Sequence, residues 1–574
     1  MNKKIPLLVI LAAAASASWA QSAVDAFRFT RNDMKGTARF MAMGGAFGAL
    51  GGDLSSLSQN PAGIGVYRNN EIGFTLDLDC QRSNSQTAAG SFAIDNTKFL
   101  LNNIGAVFTM RLGSSTFPNF NVGFTYNKGA SFNREYEGEM GLQNSMSNYI
   151  AGIANGENLT VGDLTTTDDF NPYNPGDYYA SPWLAILGYD SFLISPQGKE
   201  DNPSWFGQWG NGTKGSGRFH VVEKGSLDEY NIALGGNIAN VVYWGMNFDI
   251  VNFNYTMNSM WGEQLDNANV MLDEKVGMQR MRADWNLSNY YNVNGTGFNY
   301  QLGIIVKPIQ ELRLGFAFHT PTWYSLTENF GAGTSFRYGD GETFGAKTNN
   351  GQLAYNDMNF RTPWKLMASV AGVIGGRFII SADYEWEPMH AMRFSQPSSY
   401  GYGGGWDDGW DDGAWDDGWG WDPWYKPGSQ AAPAKKSSLN DPYYATNEDI
   451  RRYYRSTNTL RLGAEYRVTP QFSVRAGYSF VSSPVQQKAK DGKEIIYTSG
   501  TMPNYVFDNT TNYISAGVGY KYKKFYIDLA YVYKRQSAEY HAYTSDPANP
   551  EIPSPKADVT FNNSQVVMSA GFRF

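Results

Sequence analysis

Fourteen stretches of this chain alternate apolar and polar residues with a period of two, and that repetition limits the fold more than any other feature. They fall at 72–78, 104–110, 120–126, 230–234, 244–250, 298–304, 312–318, 364–370, 378–384, 460–466, 472–478, 514–520, 525–531 and 566–574. Successive side chains of a strand point to opposite faces, so each stretch presents one greasy and one polar face. The last is the clearest. Val566, Met568, Ala570, Phe572 and Phe574 share one face, while Gln565, Ser569, Gly571 and Arg573 share the other. Val567 is the one apolar residue on the polar side. A weaker stretch at 278–289 is assigned to a loop, because counting it as a strand makes the total odd.

The connections carry a second constraint. Joins at 113–118, 237–240, 307–311, 375–376, 469–470 and 521–524 are tight, and every intervening connection reads as long. Bacterial outer-membrane barrels are built this way, with short turns in the periplasm and longer loops outside. The terminal strand, ending on Phe574, resembles the closing strand of such a barrel. No apolar run of about 18 residues follows the first 20, so no transmembrane helix is expected. The mean hydropathy of -0.43 suits a soluble protein, but 15 % aromatic residues do not. A barrel reconciles the two, because only alternate residues meet lipid and aromatic girdles mark the interfaces. The expected fold is all-β, a 14-stranded antiparallel transmembrane β-barrel over 70–574. Its outer loops are placed at 128–227, 256–295, 326–360, 387–457, 483–511 and 536–562.

Residues 1–20 read as a cleaved signal peptide: Lys3 and Lys4, an apolar core at 5–17, then Ser18-Trp19-Ala20. The expected location is the outer membrane. Cys80 is the only cysteine, which excludes an internal disulfide. A net charge of -8 argues against nucleic acid, and four histidines against a histidine-rich metal site. No phosphate loop, nucleophile elbow or zinc-protease motif occurs, so no cofactor and no enzymatic activity are expected. His319 lies beside Arg313 on the lumen face, with no nucleophile located near it.

Eleven strands place a glycine on the polar face: Gly73, Gly105, Gly123, Gly235, Gly245, Gly303, Gly315, Gly463, Gly477, Gly517 and Gly571. Either these relieve bending as the sheet closes, or they keep room for an inserted segment or a passing solute. A barrel of this size is too wide for its own side chains to fill. Residues 21–69, rich in small side chains, are long enough to enter it as a plug. Asp53 opens a stretch suited to helix capping, and Asn60-Pro61 ends any helix before Gly63.

Gly44-Gly45-Ala46, the stretch from Asp53, and Asn60-Pro61-Ala62-Gly63 just before the first strand resemble the hatch of the FadL-type long-chain fatty acid transporter family. The resemblance implies a 14-stranded barrel stoppered by an N-terminal hatch. It implies passive uptake of hydrophobic small molecules, such as fatty acids or aromatic hydrocarbons, from the outer loops to a pocket at the hatch. Release would follow into the membrane lipid through a lateral gap near the third strand, where Gly129 marks a kink. The family also includes partners in secretion or assembly, so a barrel that docks envelope proteins without transport is the alternative. Arg111, Arg313, Arg461 and Arg475 are lumen candidates for a ligand carboxylate or for the hatch, or pair with neighbouring acids.

The oddest local feature is the tryptophan–aspartate repeat at 401–424. Trp406, Trp410, Trp415 and Trp419 suit recognition of a glycan or an envelope protein. Asp407, Asp408, Asp411 and Asp412 are a weaker candidate for calcium. The plain alternative is a solvated low-complexity loop.

Overall fold

A computed structural model describes residues 22–174, 181–273, 275–397, 441–492, 495–496, 498, 500–545 and 552–574. The signal-peptide reading and the tryptophan–aspartate repeat lie outside the described residues.

Fourteen antiparallel strands pair in chain order around a closed wall. They are β1 (Glu71–Thr87), β2 (Gly90–Arg111), β3 (Asn119–Ser131), β4 (Lys214–Ile238), β5 (Val242–Val270), β6 (Gln279–Val306) and β7 (Leu312–His319). The circuit continues through β8 (Lys365–Ile374), β9 (Phe378–Pro388), β10 (Ser456–Arg467), β11 (Phe472–Val481), β12 (Tyr505–Tyr522), β13 (Phe525–His541) and β14 (Lys556–Arg573). β1 pairs with β2 on one side and β14 on the other, which leaves no open edge. The greasy faces point outward, with Phe74, Phe124, Ile232, Leu302, Phe316 and Ile527 all exposed. The polar faces line the lumen.

The structure corrects three expectations about the connections. β1 and β2 are joined by a tight turn, Thr87 pairing with Gly90, where a long loop was expected. Both strands run far past the roughly 9–11 residues that cross a bilayer, so the excursion is itself sheet. The 278–289 stretch is the outer half of β6, not a loop. Parity survives because the stretch prolongs a strand already counted. Much of 128–227 and 326–360 is likewise strand: Arg134–Gly141 pairs with the prolonged β4, and Trp323–Tyr338 with β6.

The N-terminal segment enters the barrel before β1. It contains α1 (Ala23–Thr30), α2 (Ala38–Ala42) and the 3-10 turns Leu54–Ser58 and Pro61–Val66. Each has its own side-chain cap: Ser22, Thr37, Asp53 and Asn60 accept from backbone N–H groups two or three residues on. At the long-loop end the prolonged strands and loop helices enclose a continuous aromatic core. Phe29 of α1 reaches into it, its ring 5.2 Å from Phe253 and 5.3 Å from Phe360.

Candidate functional site

The lumen glycines resolve into a seat for the plug. A Cβ on Gly245 would lie 2.1 Å from the Pro61 carbonyl oxygen, and one on Gly303 2.0 Å from Asn60 Oδ1. On Gly315 it would meet the Gly48 carbonyl at 2.3 Å, on Gly463 that of Met43 at 2.5 Å, and on Gly477 the Gly44 nitrogen at 2.0 Å. These gaps exclude any larger residue while the plug is in place. Gly105 and Gly571 face neighbouring wall residues instead, so bending relief accounts for some of the set. Gly44 and Gly45 adopt left-handed backbone at φ 61° and 73°, which turns the chain tightly against β10 and β11.

The motif residues hold the plug's turns together. Asn60 Oδ1 accepts from the Ala62 N–H at 3.0 Å while its Nδ2 donates to the Gly48 carbonyl at 2.6 Å. Asp53 accepts from the Ser55 N–H and the Thr37 hydroxyl, joining two turns. Gly63 accepts from the Gly52 N–H at 3.2 Å. Pro61 and Ala62 lie fully covered beneath β5 and β6.

Charge pins the plug to the wall. Lys35 Nζ donates to Asp77 at 2.6 Å, to Asp79 at 3.1 Å and to Gln565 at 3.2 Å. Arg39 and Arg475 converge on Glu465, and Arg475 also reaches Asp528. Asp33 accepts from Lys534 at 2.6 Å. Burial opposes ionisation of Asp33, but Arg31 and Lys534 outweigh it and hold the carboxyl below the usual carboxylate range. The polar face of β14 serves the same seat: Ser569 accepts from the Ala38 N–H at 2.7 Å. Val567, the apolar exception there, is buried in the same apolar cluster as Met34, Ala38 and Met41 of the plug.

Above the plug lies a cavity of about 190 Å³. Its wall is polar: Lys365 pairs with Glu387, Arg461 with Glu385, and His319 hydrogen-bonds the Gln59 carbonyl at 2.9 Å. Asn127, Lys128 and Gly129 of β3 also line it. There the wall is interrupted. β2 and β3 pair from Arg111 and Asn119 only as far as Asn103 and Asn127, although β2 continues to Gly90. Gly129 is the extra residue of a bulge, falling between Lys128 and Ala130 in the β3–β4 ladder. The slot is bounded by the Asn103–Asn127 hydrogen bond at one end and by Thr87 Oγ1 donating to the Glu139 carbonyl at the other. From inside, the Asp33 N–H donates to the Gly129 carbonyl at 2.8 Å, and the Ser131 N–H donates to the Asp33 carboxylate.

The four arginines singled out in the sequence part company. Arg461 lines the cavity in its ion pair, and Arg475 lies in the plug network. Arg313 donates to the plug's Leu50 carbonyl at 2.7 Å. Arg111 is not a lumen residue. It sits exposed at the short-turn rim, where it reaches Arg68 and Asn69, because β2 has already left the barrel interior there. Asp33, Lys35 and Arg39 carried no motif. Their trace in the sequence is the acidic polar face of β1, where Asp77 and Asp79 follow Glu71.

A model of the family described as outer membrane protein transport protein (OMPP1/FadL/TodX) matches residues 237–574. A search of the curated proteins finds no match. A Pseudomonas aeruginosa FadL homologue of known structure is 11% identical with a TM-score of 0.48, over 95% of this chain and 99% of that one. The P. putida toluene transporter TodX is 14% identical with a TM-score of 0.46, over 94% and 99%. The Ralstonia pickettii toluene transporter TbuX is 14% identical with a TM-score of 0.43, over the same shares.

Proposed function

Because the chain belongs to the OMPP1/FadL/TodX family of outer-membrane transport proteins, we propose that it admits hydrophobic small molecules, fatty acids or monoaromatic hydrocarbons, by passive diffusion with sideways release. The carrying observation is the interrupted β2–β3 ladder beside the plug cavity. A solute reaching that cavity has a short way into the bilayer once residues 31–35 move off Gly129. Partition into hydrocarbon then favours it by about 0.8 kcal/mol per CH₂. The cavity is small and lined by paired charges, so this displacement is a required step rather than a refinement.

Uptake of a panel of long-chain fatty acids and monoaromatic hydrocarbons, in cells lacking and then regaining the protein, tests this reading. Restoration by the natural chain is expected, with little restoration by Gly129→Trp, which crowds the cavity beside Leu227 and Glu229, or by Asn60→Ala/Pro61→Ala, which removes the capped turn that seats the plug. Equal uptake with and without the protein ends the transport reading. The sidedness is checked separately, in a Cys80→Ser background. Val276→Cys, 60% exposed at the tip of the β5–β6 hairpin, takes up a membrane-impermeant thiol reagent on intact cells. Ile309→Cys, in the short β6–β7 turn and 58% exposed, does not. Labelling in the reverse order would invert the route.

The second reading, a docking barrel, draws on the filled aromatic core at the long-loop end. Stoichiometric envelope proteins retained through mild detergent purification, together with unchanged uptake, favour it.

A further inference from the structure

Outside the lumen, one level of the wall carries Tyr230, Ile250, Phe298, Trp323, Arg361 and Arg393 side by side on neighbouring strands. The first four are exposed on the outer face, and the Phe298 and Trp323 rings stand 5.4 Å apart. A row of outward aromatic residues at one height marks where hydrocarbon gives way to headgroups. The two arginines end that row, and they are directly opposed partners across the 354–361 and 393–395 strands.

Like charges directly opposite one another destabilise a ladder. Among the described residues relief is slight: the Arg361 side chain makes no hydrogen bond or ion pair, and Arg393 has one long ion pair, to Asp441 at 3.9 Å. Beside them opens a groove of about 770 Å³. Phe248 and Ile250 form its side nearer the membrane centre, while Thr296, Ser325, Asn359 and Ser395 form its side toward the long-loop end. Pro321 and Pro363, which cannot donate to a ladder, fall in the strand breaks just below it. The groove is therefore layered along the membrane normal, from apolar through cationic to hydroxyl- and amide-bearing.

We propose that this groove binds a phosphorylated membrane glycolipid. Its phosphate sits on Arg361 and Arg393, its acyl chains along Phe248, Ile250, Phe298 and Trp323, and its sugar against the hydroxyl row. Guanidinium groups present planar paired donors that match phosphate oxygens, and an anion between them removes their mutual repulsion. A soluble anion would satisfy the arginines but leave the aromatic side of the groove unused. That contrast selects a lipid.

Native mass spectrometry of the detergent-solubilised full chain tests this, with diphosphorylated lipid A and the same lipid stripped of phosphate as probes. The diphosphorylated lipid is expected to stay bound, and removing its phosphates to weaken retention about tenfold or more, since charge-assisted paired bonds supply the affinity. Arg361→Gln/Arg393→Gln gives the same loss, whereas Arg361→Lys/Arg393→Lys keeps part of the binding. Equal retention of the stripped lipid, full retention by the glutamine variant, or displacement by equimolar inorganic phosphate overturns the proposal. Should the glutamine variant fail to insert, the comparison of the two lipids on the natural chain decides alone.

Discussion

Replacing Gly303 by leucine is expected to leave the barrel closed and to expel its plug. The Cβ alone would lie 2.0 Å from Asn60 Oδ1 and 2.9 Å from the Ala62 nitrogen. Ordinary overpacking costs about 1–3 kcal/mol because neighbours shift by small amounts. Here the neighbour is a backbone turn that is capped by Asn60 and tied by it to Gly48, with Gly245 already in contact behind. The turn cannot yield locally, so the plug leaves its seat as a unit. The wall itself loses nothing, since the β5–β6 and β6–β7 ladders use the same backbone groups with either residue. Two measurements check this. The variant's N-terminal segment becomes open to protease while the barrel keeps its heat-modifiable gel shift, and ion conductance in planar bilayers rises well above that of the natural chain. Leu302→Ala, which changes only the lipid face, serves as the control and leaves both unchanged. A plugged, non-conducting Gly303→Leu barrel would show that the glycines relieve curvature and nothing more.

The second large effect is expected at Lys35. Its ammonium is the sole cation facing Asp77 and Asp79 among the described residues, at a position almost closed to water. Lys35→Met removes the cation and strands both carboxylates, and breaking such a buried cluster costs about 3–5 kcal/mol. The loss falls on plug docking and on the β1–β14 closure together, because Gln565 of β14 shares the same ammonium. A lowered temperature for the folded-to-unfolded gel shift reports it. Adding Asp77→Asn and Asp79→Asn to Lys35→Met removes the stranded charge and is expected to recover most of the loss. No recovery would mean that packing by the lysine stem, not its charge, holds the contact.

The strands, their number and their inward and outward faces were legible in the sequence because they depend on local periodicity. Lipid on one side imposes alternation on every strand separately, so each announces itself without reference to its neighbours. The plug was legible for a related reason, since Asn60 and Asp53 cap turns a few residues away. The limits of the strands were not legible. Beyond the membrane the outer halves of β1, β2, β5 and β6 face the plug, the aromatic core and water rather than lipid, so the greasy alternation fades while the ladder continues. Counting the 278–289 stretch as a loop mistook loss of contrast for loss of structure.

The site itself was decided by distance across the chain. Lys35 meets Asp77 and Gln565, Asp33 meets Gly129 and Lys534, and Arg361 meets Arg393 only in the folded wall. Sequence alone determined a membrane barrel with room inside and something small to fill it, because solvent acts on each residue in place. Which carbonyl rests on which glycine, which cation faces which acid and where the ladder breaks were settled by tertiary structure. Those contacts are pairwise, and one member of each pair carries no record of the other.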